Sequence, residues 1–134
     1  MTESEKRMHR CCFTGHRPEK LSVSEEDLKR ELKKEIRLAI ADGFNVFITG
    51  MAPGTDIWAA EIILELREQE ALRLKLIAAS PHPDFEKRWS MDWRKRYAAI
   101  MAKADFIKEV CPHYSRGCNQ IRNEWMVDHS ARVI

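Results

Sequence analysis

The sequence predicts an α/β domain, a three-layer α/β/α arrangement around a mainly parallel sheet. Three observations carry that reading. Short apolar, β-prone runs alternate with longer stretches whose apolar residues recur at helical spacing, four times over, and a fifth run opens at Arg132. Strand and helix in such alternation imply right-handed crossover units and a parallel sheet covered on both faces. With 134 residues, 44% of them hydrophobic, the chain is long enough for one such core and too short for a second domain.

Composition narrows the partners. A formal net charge of +2 is close to balance, so it neither calls for a nucleic-acid partner nor excludes one. No apolar run approaches the roughly 18 residues needed to span a bilayer, and the opening MTESEKRMHR lacks the apolar centre of a signal peptide, so a cytoplasmic protein without membrane partners is expected. The adjacent Cys11 and Cys12 lie in an apolar run that suits buried, reduced thiols better than a disulfide framework.

Residues 1–8 are polar and expected to be a flexible N-terminal segment, with the domain running from 9 to 134. The first strand, 10–14, ends in Gly15-His16-Arg17-Pro18, where the proline delays any helix and holds His16 and Arg17 on a loop. Residues 24–42 read as a helix because Leu28, Leu32, Ile36, Ala39 and Ile40 recur at helical spacing. Ser24 with Asp27 gives it a capping-box start, and Gly43 sits where a left-handed C-cap is wanted. A second strand, 44–49, feeds a turn with Gly50, Pro53 and Gly54, and a helix follows from 56 to about 70 with Ala59, Ala60, Ile63 and Leu64 as its buried stripe.

The third strand, 72–79, leads into the rigid loop Ser80-Pro81-His82-Pro83. Residues 84–102 are expected to be helical throughout, with Trp89, Trp93, Tyr97 and Ile100 on one stripe beside Lys87, Arg88, Arg94, Lys95 and Arg96. Aromatics interleaved with cations can stack bases along a phosphate backbone, but the plainer reading packs the stripe on the sheet, so nucleic acid is not the expected partner. A fourth strand, 106–110, precedes the loop 111–118 and a short helix, 119–129, carrying Arg122, Asn123 and Asp128. Cys111, His113 and Cys118 match no common zinc spacing and a fourth ligand is not evident, so neither a metal nor a cofactor is expected. Arg132, Val133 and Ile134 open a fifth strand that stops after its first apolar residues, which reads as C-terminal truncation and predicts an exposed sheet edge inviting a homodimer.

The chain is organised around residues 47–61, FITGMAPGTDIWAAE. Glycines at 50 and 54 allow a tight turn and a close approach, and the first amides of the following helix point into that turn, where aligned peptide dipoles favour a phosphate or carboxylate. The alternative is a plain βα connection in which Pro53 fills the first turn and Asp56 caps the helix. Parallel sheets bind ligands at the carboxyl ends of their strands, and the loops after strands one, two and three lie there, holding Thr14 to Arg17, Gly50 to Asp56 and Ser80 to His82. Three such turns on one rim favour a ligand site. His16 and His82 can serve there as proton shuttles or as hydrogen bonders that orient their loops.

The segments CFTGHRPEKL, ITGMAPGTDIWAAE, PHPDFEKRW with the following RYAAIMAKADF, and RNEWMVDHSARVI resemble the YpsA-like branch of the SLOG superfamily. That Rossmann-like group includes the DprA DNA-processing proteins and the LOG cytokinin-activating phosphoribohydrolases. The resemblance runs from Met8 onward, and TGHRP with GMAxGxDxxAAE is specific to the branch. It implies a Rossmann-like fold and a pocket for a nucleotide-derived small molecule. Thr14, Gly15, His16 and Arg17 would then form one wall, with Arg17 as phosphate partner. Gly50, Met51, Ala52, Gly54 and Asp56 would form the second, and Glu61 would face a sugar hydroxyl. Arg122 and Asn123 match the RN pair of the branch, and Asp128 and Ser130 its VDxS element. Family members continue into a Gly-Gly-Thr loop, and the LOG enzymes carry PGGxGTxxE; neither motif occurs in this sequence.

Three functions follow as expectations. The first is a nucleotide-binding sensor or scaffold without turnover. The second is an N-glycosidic hydrolase using Asp56 or Glu61 with Arg17 and Arg122, since cleavage at a ribosyl carbon needs a carboxylate and a cation to fix the phosphate. The third is single-stranded nucleic-acid binding through Trp89, Trp93 and Tyr97, by analogy with DprA.

Overall fold

The computed structural model describes residues 2–13 and 24–134. A short helix, α1 (Glu3–Arg7), is capped by the Thr2 hydroxyl and tied back by Arg7, which donates to the Ser130 carbonyl, and by the Arg10–Glu3 ion pair. The polar opening read as loose chain therefore holds a helical turn. Five strands follow: β1 (Arg10–Cys12), β2 (Val46–Thr49), β3 (Lys75–Ser80), β4 (Phe106–Glu109) and β5 (Arg132–Val133). They alternate with α2 (Glu25–Ala41), α3 (Thr55–Gln69), α4 (Met91–Lys103) and α5 (Cys118–Asp128).

All pairings are parallel, and the order across the sheet is β4-β3-β2-β1-β5. Each of β2, β3 and β4 adds on the same side of its predecessor, and β5 then adds on the other side of β1. With crossovers of one hand, that reversal puts α2, α3 and α4 on one face and α5 on the other. The core records the division. Phe13, Phe47, Leu76 and Ala78 pack with Ile36, Ile63 and Ile100 in the large cluster, whereas Cys12, Ile48 and Ala79 meet Met126 of α5 in a small one. Neighbours such as Phe47 and Ile48 face opposite ways because side chains alternate across a strand.

Ser24 caps α2 by accepting the Asp27 amide, and Gly43 takes the left-handed conformation, φ 99°, as the sequence predicts. The strand ahead of α4 ends as expected, but the helix does not start there. Residues 82–89 form turns, with Asp84 at φ 60°, and Ser90 in an extended conformation caps a helix that begins only at Met91. Trp89 lies outside it. The aromatic stripe still packs inward: Trp93 meets Trp58 at 6.1 Å between ring centres, and Trp89 meets Tyr97 at 5.5 Å. Both tryptophans are half-buried on the core.

β1 lies between β2 and the edge strand β5, and both of its thiols are free and fully buried. Burial pushes the Cys11 thiol up to about 12, and Cys12 also rises above its ordinary value, chiefly by burial. An unfolded thiol ionises near pH 8.5, so above that pH the unfolded chain binds fewer protons and stability falls as pH rises towards the folded values; below it nothing is lost. In urea unfolding between about pH 9 and about pH 11, Cys11→Val should flatten the alkaline slope by up to ~1.4 kcal/mol per pH unit. Identical slopes in the two proteins would show that burial does not control this proton.

Candidate functional site

The carboxyl ends of β2, β3 and β4 form a rim with the amino end of α5. At the end of β2, Thr49 donates through Oγ1 to the Asp56 carbonyl, 2.7 Å, and the Met51 amide donates to the same Oγ1 at 3.4 Å. Met51 takes φ 65°, unusual for a residue with a side chain, and so turns that side chain fully into the core. Gly54, at φ 97°, is the residue before α3 and provides no side-chain cap. Asp56, expected as that cap in the plain reading, lies in the first turn and takes the Ala52 amide on Oδ2 at 3.3 Å. The loop 50–54 is thereby folded back onto the first turn of its own helix.

Gly50 has a role that the sequence reading assigned to a ligand. Its backbone is outside the positive-φ region. A Cβ there would lie 2.8 Å from Asp56 Oδ2 and 3.0 Å from Arg122 Cζ. The absent side chain thus makes room for a carboxylate and a guanidinium, side by side. Arg122 reaches this point from α5, on the opposite face of the sheet. It is 5% exposed, donates from a terminal nitrogen to the Gly50 carbonyl, donates from Nε to Asn123 Oδ1 at 2.8 Å, and sets its Cζ 5.7 Å from the centre of the Phe85 ring.

Phe85 opens the second part of the rim. A groove of about 690 Å³ runs between the loop after β3 and the loop after β4, lined by His82, Phe85, Lys87, Arg88, Trp89, Pro112, His113, Tyr114 and Asn119 among others. His82 stands edge-on to Phe85 at 5.6 Å and to Tyr114 at 5.3 Å. Its Nδ1 donates to the Pro83 carbonyl at 2.7 Å, and because that oxygen can only accept, the proton sits on Nδ1. This bond orients the loop. Ser80, fully buried, donates to the His82 carbonyl at 3.0 Å and braces the same turn.

Of the residues singled out in the sequence, Gly50, Met51, Ala52, Gly54, Asp56, Ser80, His82, Arg122 and Asn123 meet on this rim. Thr14, Gly15, His16 and Arg17 lie outside the described residues. Glu61 points elsewhere. Its carboxylate takes Arg96 at 2.9 Å and lies 3.4 Å from Lys29, in a network with Glu25 that joins α2, α3 and α4. Within it, burial pulls the Glu25 carboxyl up, but Arg96 and Lys29 outweigh burial and hold it below its usual range. The sequence reading missed Phe85 and Tyr114 as lining residues, and only the excess of aromatics and prolines in both loops signals them.

A family model described as the YspA SLOG family matches residues 11–134. A UPF0398 protein of Bacillus pumilus is 34% identical over 124 residues, covering 86% of this chain and 66% of that protein. One from Shouchella clausii is 27% identical across 97% of this chain and 73% of its own length, and one from Levilactobacillus brevis is 30% identical across 95% and 71%. The chain therefore spans about two thirds of the length of the curated relatives it matches.

Gly50→Ala forces Asp56 and Arg122 apart. Overpacking of this kind costs about 1–3 kcal/mol, more than the ~0.4–1 kcal/mol that a Gly→Ala change gains through the unfolded chain. The variant should lose about 1 kcal/mol or more in urea unfolding; stability equal to wild type would mean that the pair beside Gly50 is slack.

Proposed function

The chain belongs to the YpsA SLOG family, and from that premise we propose that it binds a nucleotide or nucleotide-derived small molecule at the carboxyl ends of β2, β3 and β4, as a sensor or scaffold that does not turn the ligand over. Membership points to a nucleotide-related role. The finer reading rests on one observation: the Arg122 guanidinium reaches both the Gly50 turn and the Phe85 ring, so the start of α3 stands next to the aromatic groove that Phe85 lines. A nucleotide needs such a pair of neighbouring surfaces. Its phosphate suits Lys87 and Arg88, since the Asp56 carboxylate already stands in the first turn of α3 beside Arg122, and its base suits the ring faces of the groove.

Other features agree with it. The groove volume falls within the ~300–1,000 Å³ of small-molecule sites. Lys87 and Arg88 line it and supply positive charge. Tyr114, at 72% exposure, offers an open face for stacking. Binding is preferred to hydrolysis because both candidate carboxylates already have partners: Glu61 takes Arg96 and Lys29, and Asp56 takes the Ala52 amide. A general base or nucleophile held in this way would first have to give up its ion pair or its backbone bond.

Calorimetry against nucleoside mono- and diphosphates, dinucleotides and ADP-ribose derivatives checks the proposal. At least one should bind, with no free base released, and Tyr114→Ala should weaken it about tenfold, the ~1.4 kcal/mol expected for losing one stacked base. A panel in which nothing binds sinks the proposal, and release of free base would move the assignment to a hydrolase.

A further inference from the structure

Beside the groove, the loop after β4 covers two thiols that ligand binding does not use. Cys111 ends that strand's exit, and Cys118 is the first residue of α5. The two thiols are near neighbours, close enough for each to shift the other's ionisation. Cys118 Sγ also receives the Ser115 amide at 3.0 Å and lies 3.1 Å from the Ser115 hydroxyl, while its own proton faces the His113 carbonyl at 3.4 Å. No side chain caps α5, so this sulfur stands where a helix amino end favours negative charge.

We propose that Cys111 and Cys118 are a reversible dithiol–disulfide pair, in which Cys118 attacks a low-molecular-weight disulfide and Cys111 resolves the product. The Cys118 thiolate attacks one sulfur of R–S–S–R, that S–S bond breaks, and R–S⁻ leaves and takes a proton. Cys111 then loses its proton, attacks Cys118 Sγ in the mixed disulfide and expels the second R–S⁻. Two protein thiols are oxidised to one disulfide, and the small disulfide is reduced to two thiols.

The electrostatics assign the two roles. Donation from Ser115 lowers the Cys118 thiol below its ordinary value, and the neighbouring sulfur and burial raise Cys111. The lower member of a pair is the attacking one. Cys118 is 1% exposed and Cys111 8%, but all six residues between them, 112–117, are exposed, so the thiols lie one layer below a surface loop whose lifting admits the reagent. Among the described residues, no group of three His, Cys, Asp or Glu is placed to hold a metal ion, so the thiols are not drawn together by one. Cys11 and Cys12 cannot imitate the pair. They are adjacent on β1, their side chains enter different clusters on opposite faces, and burial raises both. The proposal does not depend on what occupies the groove, although the new bond would pin the loop that carries Pro112, His113 and Tyr114 into its wall.

The test exposes the full chain to oxidised glutathione, then alkylates it in denaturant for thiol titration and peptide mass spectrometry. Two of the four thiols should disappear into a linked 111–118 peptide, two hydrogens lighter and restored by dithiothreitol, with Cys11 and Cys12 recovered as thiols. In Cys111→Ser the reaction should stop at one glutathionyl group on Cys118, and in Cys118→Ser, Cys111 should stay unmodified over the same time. Four surviving thiols in the wild-type chain, a linkage that draws in Cys11 or Cys12, or a Cys111→Ser protein without an adduct would overturn it.

Discussion

A buried guanidinium governs the rim. Arg122 carries five N–H donors, cannot give up its charge, and is almost wholly out of water. A charge in that position is tolerable only where acceptors meet it with good geometry. The Gly50 carbonyl and Asn123 supply them, and the face of Phe85 and the nearby Asp56 complete the surroundings. Each demand fixes something else. Residue 50 must lack a Cβ. The chain must turn sharply at Met51 so that the carbonyl before it stays open. And α5 must lie on the face opposite α3, so that an arginine from one layer reaches over the strand ends to the other. The strand order meets the last requirement, because β5 returns to the far side of β1.

The element pattern and the sheet class were legible because alternation of short β-prone runs with helical periodicity depends only on local spacing and burial. The strand order, and with it the separation of α5 from the other helices, was not, since it depends on which strand edge the last run joins. The start of α4 misled for a definable reason. Trp89 lies four residues before Trp93, so the helical period continues across a segment that is not helix, and the real start is set by the Ser90 cap and the left-handed Asp84. Periodicity reports which residues pack on the core, and turn residues can do that as well as helical ones.

Legibility of the site followed the same division. Gly50, Asp56, Ser80, His82, Arg122 and Asn123 were read individually, and the structure brings them to one rim. What each does was not readable. Gly50 looks like a glycine that admits a ligand, yet the atoms beside it belong to Asp56 and Arg122. Glu61 looks like a carboxylate one helical turn from the site, yet Arg96 and Lys29 hold it, and their approach depends on how α2 and α4 pack against α3. Spacing places a residue on an element. The partner comes from another element, often more than thirty residues away.

The two faces of the sheet are not anchored alike, and this bears on where chemistry can occur. On the α2–α3–α4 face the large core cluster is overlaid by the Glu25–Lys29–Glu61–Arg96 network, which ties three helices together; being partly exposed, that network adds registry more than stability. On the α5 face, among the described residues, the buried cluster is small, Cys12, Ile48, Ala79 and Met126 with Ile77 and Trp125 packed against it, and Arg122 adds its bond to the Gly50 carbonyl. Local opening is cheapest where few apolar contacts must be broken. Opening on the α5 side therefore breaks fewer of the described buried apolar contacts than opening on the α2–α3–α4 face, and it is the side that carries Arg122, the loop wall of the groove and the Cys111–Cys118 pair. A ligand that engaged Arg122 would add contacts to α5, so binding and the anchoring of that helix would be coupled: whatever stabilises one stabilises the other.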